Sequence, residues 1–183
     1  MPRLFTGLEI PEPLAEELAL LRGGVMGARW LDTENYHLTL RFIGDIDEGQ
    51  ADEVFHTLGQ IRRKPFEVTL DALDSFGGDK PRAIVARAQP NQALVELQAE
   101  QDRLIKRLGI PPEPRKFKPH VTLAWLRAAS AWAVADYISS RGLFLLRRFP
   151  VERFVIFSSR ASTGGEELWV SSGALSNGNV RFG

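Results

Sequence analysis

The chain has 183 residues, 44% of them hydrophobic and 25% charged, the balance of an ordinary globular protein with a sizeable core. Lysine plus arginine equals aspartate plus glutamate at 23 each, which argues against a broad, non-specific nucleic-acid groove but not against recognition of a nucleotide or an RNA end. The absence of cysteine excludes disulfides, thiolate metal sites and a cysteine nucleophile; with no secretory leader or ~20-residue apolar run expected from the sequence, a soluble cytoplasmic protein is predicted.

Arg3 to Ile10 predicts a first strand, which Pro11 breaks while opening a helix. Leu14, Leu18 and Leu21 give that helix an apolar stripe, and Gly23-Gly24 ends it. Trp30-Leu31 leads into a strand over Tyr36 to Ile43. Asp47 followed by Gln50 resembles a capping box, ahead of a helix whose Ala51, Val54, Phe55, Leu58 and Ile61 share a face and which ends near Arg63. Phe66 to Leu70 and Arg82 to Ala88 read as strands around a Gly77-Gly78 turn. Leu94, Leu97, Gln101, Leu104 and Leu108 mark the next helix, stopped by Gly109 and Pro111-Pro112. The Pro-rich, basic stretch Pro111 to Pro119 delivers a strand over His120 to Leu126. A short Ala-rich helix covers Ser130 to Ser140, and strands are expected at Leu143 to Phe149, Phe154 to Ser158 and Leu168 to Ser172, with Gly164-Gly165 as a turn.

Two of these strands carry the same short pattern, His37-Leu38-Thr39-Leu40 and His120-Val121-Thr122-Leu123. Residues two apart on a strand share a face, so each copy presents an imidazole beside a hydroxyl while Leu38, Leu40, Val121 and Leu123 point into a core. With three histidines in the chain, two carrying threonine at the same offset is a pairing to explain. Both the two histidines and the two threonines stand 83 residues apart (120 − 37 and 122 − 39), and helices and strands recur in similar order around each. This predicts an internal duplication: two α+β lobes packed as one unit over residues 1–183, each giving one His/Thr strand to a shared cleft. Two imidazoles and two hydroxyls suit acid–base chemistry at a phosphate without a metal or a covalent nucleophile.

The doubled motif resembles the 2H phosphoesterase superfamily, and more narrowly the RNA 2′,3′-cyclic phosphodiesterases, also known as 2′-5′ RNA ligases. The resemblance runs through Arg3 to Pro11, Arg29-Trp30-Leu31, Asn35 to Gly44, Phe117 to Ala124 and Phe157-Ser158-Ser159-Arg160. It implies a bilobal α+β fold with a pseudo-twofold axis, two antiparallel-rich sheets, helices outside and a central cleft. It also implies hydrolysis of 2′,3′-cyclic phosphates, at RNA 3′ ends or in small cyclic nucleotides, to 2′-phosphomonoesters, with no metal; no cofactor is expected, and the chain is expected to be a monomer. By the same resemblance His120 acts as general base on water, His37 as proton donor to the ribose 3′ oxygen, and Thr39 and Thr122 bind the phosphate oxygens.

Many relatives carry an arginine five residues after the second motif histidine, where this chain has Trp125. Arg127, two residues on, is a candidate substitute; Trp125 either stacks a base or packs. Arg41 shares strand parity with His37 and Thr39, and so lines the cleft or lies beyond it in solvent. Phe5 and Trp30 are candidates to stack a nucleobase, the alternative being the core, and Lys118, with Arg115 and Lys116, to attract an RNA end. Arg160 would close the site or form a surface pair, and His56 is expected in solvent. A 2′-5′ RNA ligase, a phosphodiesterase of another small cyclic phosphate, and a non-catalytic nucleotide-binding module are the alternatives.

Overall fold

The computed structural model describes residues 3–141, 147–162 and 165–174, with side chains described up to residue 158. The first part of the chain forms β1 (Arg3–Glu9), α1 (Glu12–Ala19), the short β2 (Ala28–Trp30), β3 (His37–Asp45), α2 (Glu48–Leu58) and β4 (Phe66–Phe76). The second forms β5 (Ala83–Ala88), α3 (Gln92–Arg107), β6 (His120–Leu126), α4 (Ala131–Arg141), β7 (Arg147–Val151), β8 (Arg153–Ser162) and β9 (Gly165–Ala174).

The cap read at Asp47 has a physical counterpart, and α3 has a cap that the sequence reading did not name. The Asp47 side chain accepts the Gln50 backbone N–H at 2.8 Å to start α2, and Asn91 accepts that of Leu94 at 2.9 Å to start α3. α2 stops at Leu58, earlier than its apolar stripe suggests, because a tighter turn from Leu58 to Ile61 carries the stripe on and keeps Ile61 buried. β4 continues to Phe76, past a bulge at Asp71. β2 and a single 3-10 turn over Thr33–Asn35 have too few residues to show a period and are absent from the sequence reading. Of the strand expected at Leu143 to Phe149, residues 143–146 lie outside the described residues, as does Gly164 of the expected turn.

Among the described residues the strands form one antiparallel arrangement in the order β7-β4-β5-β6-β3-β1-β8-β9, with β2 continuing along β6. Its two halves meet where β3 pairs with β6 through a single register pair, Leu38 with Val121. The halves correspond. Gly7 lies opposite Thr39 and Glu9 opposite His37; Val85 lies opposite Thr122 and Arg87 opposite His120. β4, from the first repeat, pairs with β5 and β7 of the second, while β8 returns to β1.

One face of this arrangement is covered by α1, α2, α3 and α4. Leu14 and Leu18 of α1, Val54 and Leu58 of α2, Leu94 and Leu97 of α3 and Val134 of α4 share one core with Leu4, Leu8, Leu38, Leu40, Val121 and Leu123. Among the described residues the opposite face holds a small separate cluster of Phe5, Val155 and Phe157, and no helix covers either His/Thr pair.

Candidate active site

Leu38 and Val121 are fully buried at the seam, so their strand neighbours His37, Thr39, His120 and Thr122 project from the other face, each half-buried. Antiparallel pairing about Leu38 and Val121 sets His37 across from Thr122, and Thr39 across from His120. The four side chains therefore form a quadrilateral with one imidazole and one hydroxyl at each end. The imidazoles are close enough that charge on His120 opposes charge on His37.

The two histidines are held differently. His120 Nδ1 lies 2.6 Å from the Lys118 carbonyl, which fixes the tautomer with the proton on Nδ1 and leaves Nε2 with its lone pair toward the open face. Phe76 meets its ring edge-on at a centroid distance of 4.7 Å. His37 sits against two rings, Phe5 at 4.8 Å and Phe157 at 5.3 Å, themselves stacked at 4.9 Å. Its Nδ1 is buried without a hydrogen-bond partner; the Asn35 carbonyl, two residues back like Lys118, influences it electrostatically without bonding geometry. Burial pushes His37 down from 6.5 to about 4, against a smaller opposing effect of Asn35. Burial also lowers His120, with the Lys118 carbonyl opposing it.

Gly7 makes the His37 side possible. A Cβ there would stand 2.9 Å from the Leu38 carbonyl oxygen and 3.1 Å from the Phe157 ring, whereas the corresponding position beside Thr122 is Val85. Glu9, beside His37 in register, is engaged by Arg153 at 2.5 Å, and Arg87, beside His120, by Asp71 at 3.2 Å.

The same distortion occurs three residues after each histidine. Thr6 pairs with Arg41 and Gly7 with Thr39, so Leu40 is an extra residue in β3; Ile84 pairs with Ala124 and Val85 with Thr122, so Leu123 is an extra residue in β6. Each bulge reverses the facing of the residues beyond it. Phe42, opposite Phe5, and Trp125, opposite Ala83, thus return to the face of the histidines, where they are 42% and 47% exposed.

A sequence profile of LigT-like phosphoesterases matches the chain twice, over residues 8–85 and 85–165, once for each His/Thr strand. The chain belongs to the LigT-like phosphoesterase family. The RNA 2′,3′-cyclic phosphodiesterase of Bacillus subtilis is 30% identical over 129 residues, 67% of this chain and 70% of that protein. The protein of the same name from Aeropyrum pernix is 37% identical over 101 residues, 54% of this chain but only 57% of its own length. In three dimensions the chain is similar to Escherichia coli LigT complexed with 3′-AMP, with a TM-score of 0.80 at 24% identity over 97% of this chain and all of that one. TT0787 of Thermus thermophilus shares the fold at a TM-score of 0.79 and 23% identity, covering 94% of this chain and 97% of that one.

Within this LigT-like frame the structure brings His37, Thr39, His120 and Thr122 together and separates other candidates from them. Arg41 does not line the cleft: the Leu40 bulge turns it under the sheet, where it is 2% exposed. There it pairs with Asp102 at 2.8 Å and donates to the Pro111 and Phe42 carbonyls. Trp30, opposite Ala124, likewise faces the helices and packs at 5.5 Å from Tyr137. Phe5 faces the site as a wall of the His37 pocket. Trp125 does not pack in the core; it stands open on the site face. Arg127 is exposed in the bend after β6, a further step along from Trp125. Lys118 serves His120 through its backbone carbonyl, its side chain being exposed like those of Arg115 and Lys116. His56 is exposed on α2, bonded to Gln60 at 3.0 Å. The Arg160 side chain lies outside the described residues. Sequence reasoning missed Phe42, Phe76 and Phe157. Setting the two motifs side by side would have found Phe42, since it and Trp125 occupy the same place.

Proposed function

We propose that this chain is an RNA 2′,3′-cyclic phosphodiesterase that opens 2′,3′-cyclic phosphate ends to 2′-phosphomonoesters by acid–base catalysis between His37 and His120. The observation that carries this reading is the quadrilateral of two imidazoles and two hydroxyls on an otherwise open face, in a member of a family whose similar proteins bear that name. Residues 1–183 act as one two-lobed unit, since the site is shared across the seam. A monomer in the cytoplasm suffices for this chemistry.

His120 is the general base. Its Nδ1 proton is committed to the Lys118 carbonyl, so Nε2 is free to take a proton from water. His37 is the general acid, giving its proton to the departing ribose 3′ oxygen as the phosphorus–oxygen bond breaks. In the free protein burial keeps both rings neutral near pH 7. An anionic cyclic phosphate beside them reverses part of that effect, favouring uptake of the one proton the acid needs. Thr39 and Thr122 donate hydroxyl protons to the non-bridging oxygens as charge shifts onto them. The set itself supplies both proton-transfer groups and two phosphate-oxygen donors, so this chemistry calls for no metal-held water.

The test is product analysis of 2′,3′-cyclic AMP hydrolysis with EDTA present. The expected product is 2′-AMP at an undiminished rate. A 3′-AMP product, or activity abolished by EDTA, overturns the mechanism, and 2′-AMP binding without turnover of the cyclic form would favour a binding module.

A further inference from the structure

We propose that Trp125 and Arg29 form a second nucleotide subsite, where the indole stacks the base, and the guanidinium pairs with the phosphodiester, of the nucleotide preceding the cyclic end. This deepens the phosphodiesterase reading and rests on it. The Leu123 bulge places Trp125 on the site face, three residues beyond Thr122. Because Leu123 is the bulged residue, Thr122 and Trp125 lie opposite Val85 and Ala83, two residues apart on β5, which at ~3.3 Å per residue is roughly 7 Å. The indole is therefore offset along β6 from a phosphate held by Thr122, where it is placed for the adjoining nucleotide of a chain.

Its surroundings leave the ring available. Across β5 its neighbour is Ala83, which covers little of it, and 47% of Trp125 is exposed. The equivalent Phe42 has the Arg3 guanidinium 5.8 Å from its ring centre, and Arg3 pairs with Asp45. Trp125 has no cation over its face among the described residues. Trp132 is more exposed still, at 77%, but lies on α4; placement, not exposure alone, singles out Trp125.

On the other side of β6, Arg29 of β2 is the direct register partner of Trp125. Directly opposed residues share a face with Cβ atoms about 5 Å apart, so this guanidinium projects beside the indole. Arg29 is exposed and has no carboxylate partner among the described residues, whereas Arg87 and Arg3 near the same face are paired. A flat apolar ring beside an uncompensated guanidinium, next to a site for a terminal cyclic phosphate, matches one further nucleotide: stacking tolerates any base, and the charge takes its phosphate. β2 thereby supplies, from a neighbouring strand, a cation on the side of the seam where β6 itself carries tryptophan.

The experiment compares kcat/KM for a dinucleotide ending in a 2′,3′-cyclic phosphate with that for 2′,3′-cyclic AMP. It uses the parent, Trp125→Ala, Trp125→Phe and Arg29→Gln, with folding checked by circular dichroism. The parent is expected to prefer the dinucleotide, and Trp125→Ala to cut that ratio about tenfold, as loss of one base stack would. Trp125→Phe should keep most of it. Arg29→Gln should make the dinucleotide reaction less salt-dependent, lowering the slope against log salt by about 0.7 relative to the mononucleotide. A ratio near one in the parent, or equal losses on both substrates in Trp125→Ala, overturns the subsite while leaving the phosphodiesterase reading intact. A parent that turns over neither substrate overturns that reading instead; calorimetric affinities for the dinucleotide 2′-phosphate and 2′-AMP then decide the subsite by the same ratio.

Discussion

The two halves of the site are built on one plan and differ in what encloses each histidine. Phe157 against His37 corresponds to Phe76 against His120, but the place of Phe5 is taken by Ala83 and that of Gly7 by Val85. Gly7 lets the Phe157 ring come close, Phe5 completes the wall, and His37 is sunk between them. His120 keeps one ring, a bonded Nδ1 and more access to water. A duplicated motif thus becomes an unequal pair through side chains on neighbouring strands rather than through the motif itself. The charge beside each histidine is reversed as well, Glu9 in one half and Arg87 in the other, though each is already engaged by an opposite charge.

The strongest way to break the comparison is to remove the histidines separately. His37→Ala and His120→Ala should each lower kcat on 2′,3′-cyclic AMP by ~10²–10⁴-fold with the fold retained. The pH profiles distinguish the roles. With His120 as base, His120→Ala loses the acidic limb of kcat/KM and His37→Ala the alkaline limb. Exchanged limbs would mean exchanged roles, and parent-like rates in either variant would remove that histidine from the chemistry.

Most of the fold was legible because its signals are local: the apolar stripes of α1 and α3, the Asp47 cap and the alternation in β3 and β6. The site was legible as far as alternation holds. Strand parity correctly placed Thr39 with His37, and then failed at Leu40, where an extra residue turns Arg41 inward and Phe42 outward. A bulge is set by how two strands register against each other, and nothing within His37 to Ile43 announces it. The same holds for Arg29 and Trp30: β2 is three residues long, and which of them faces the site depends on pairing with β6. Phe157 was legible as a strand residue but not as a partner of His37, because it comes from a strand far along the chain, and Phe76 lies beyond Leu70, where the sequence reading ended its strand.

The reverse of the sheet offers a second contrast. The Leu40 bulge buries Arg41 where the other half has Ala124, and Asp102 of α3 answers its charge. Burial alone would raise the Asp102 carboxyl; Lys106 and Arg41 together hold it below its ordinary value. Asp102→Ala should strand the guanidinium and cost about 3 kcal/mol in urea denaturation, the low end for a broken buried pair because the Pro111 and Phe42 carbonyls remain. Arg41→Met added to that variant should recover most of the loss, since no charge then stays buried. A loss below ~0.5 kcal/mol in Asp102→Ala would show the pair contributing no more than a surface one.

The finest test makes one half resemble the other. Phe5→Ala gives His37 the neighbour that His120 already has in Ala83, admits water to the ring, and should raise its titration from about 4 toward 6.5 in an NMR pH series. Stability is linked to the same proton. Between 6.5 and about 4 the unfolded chain binds a proton that folded His37 refuses, so the parent loses stability as pH falls through that window, by about 3 kcal/mol at its lower end. Phe5→Ala should be less stable than the parent at pH 7, through lost packing, yet lose less on going from pH 7 to 5. If His37 still titrates near 4 without the Phe5 ring, then Phe157 and the seam suffice to bury it, and the inequality of the halves rests on Gly7, which admits Phe157, more than on Phe5.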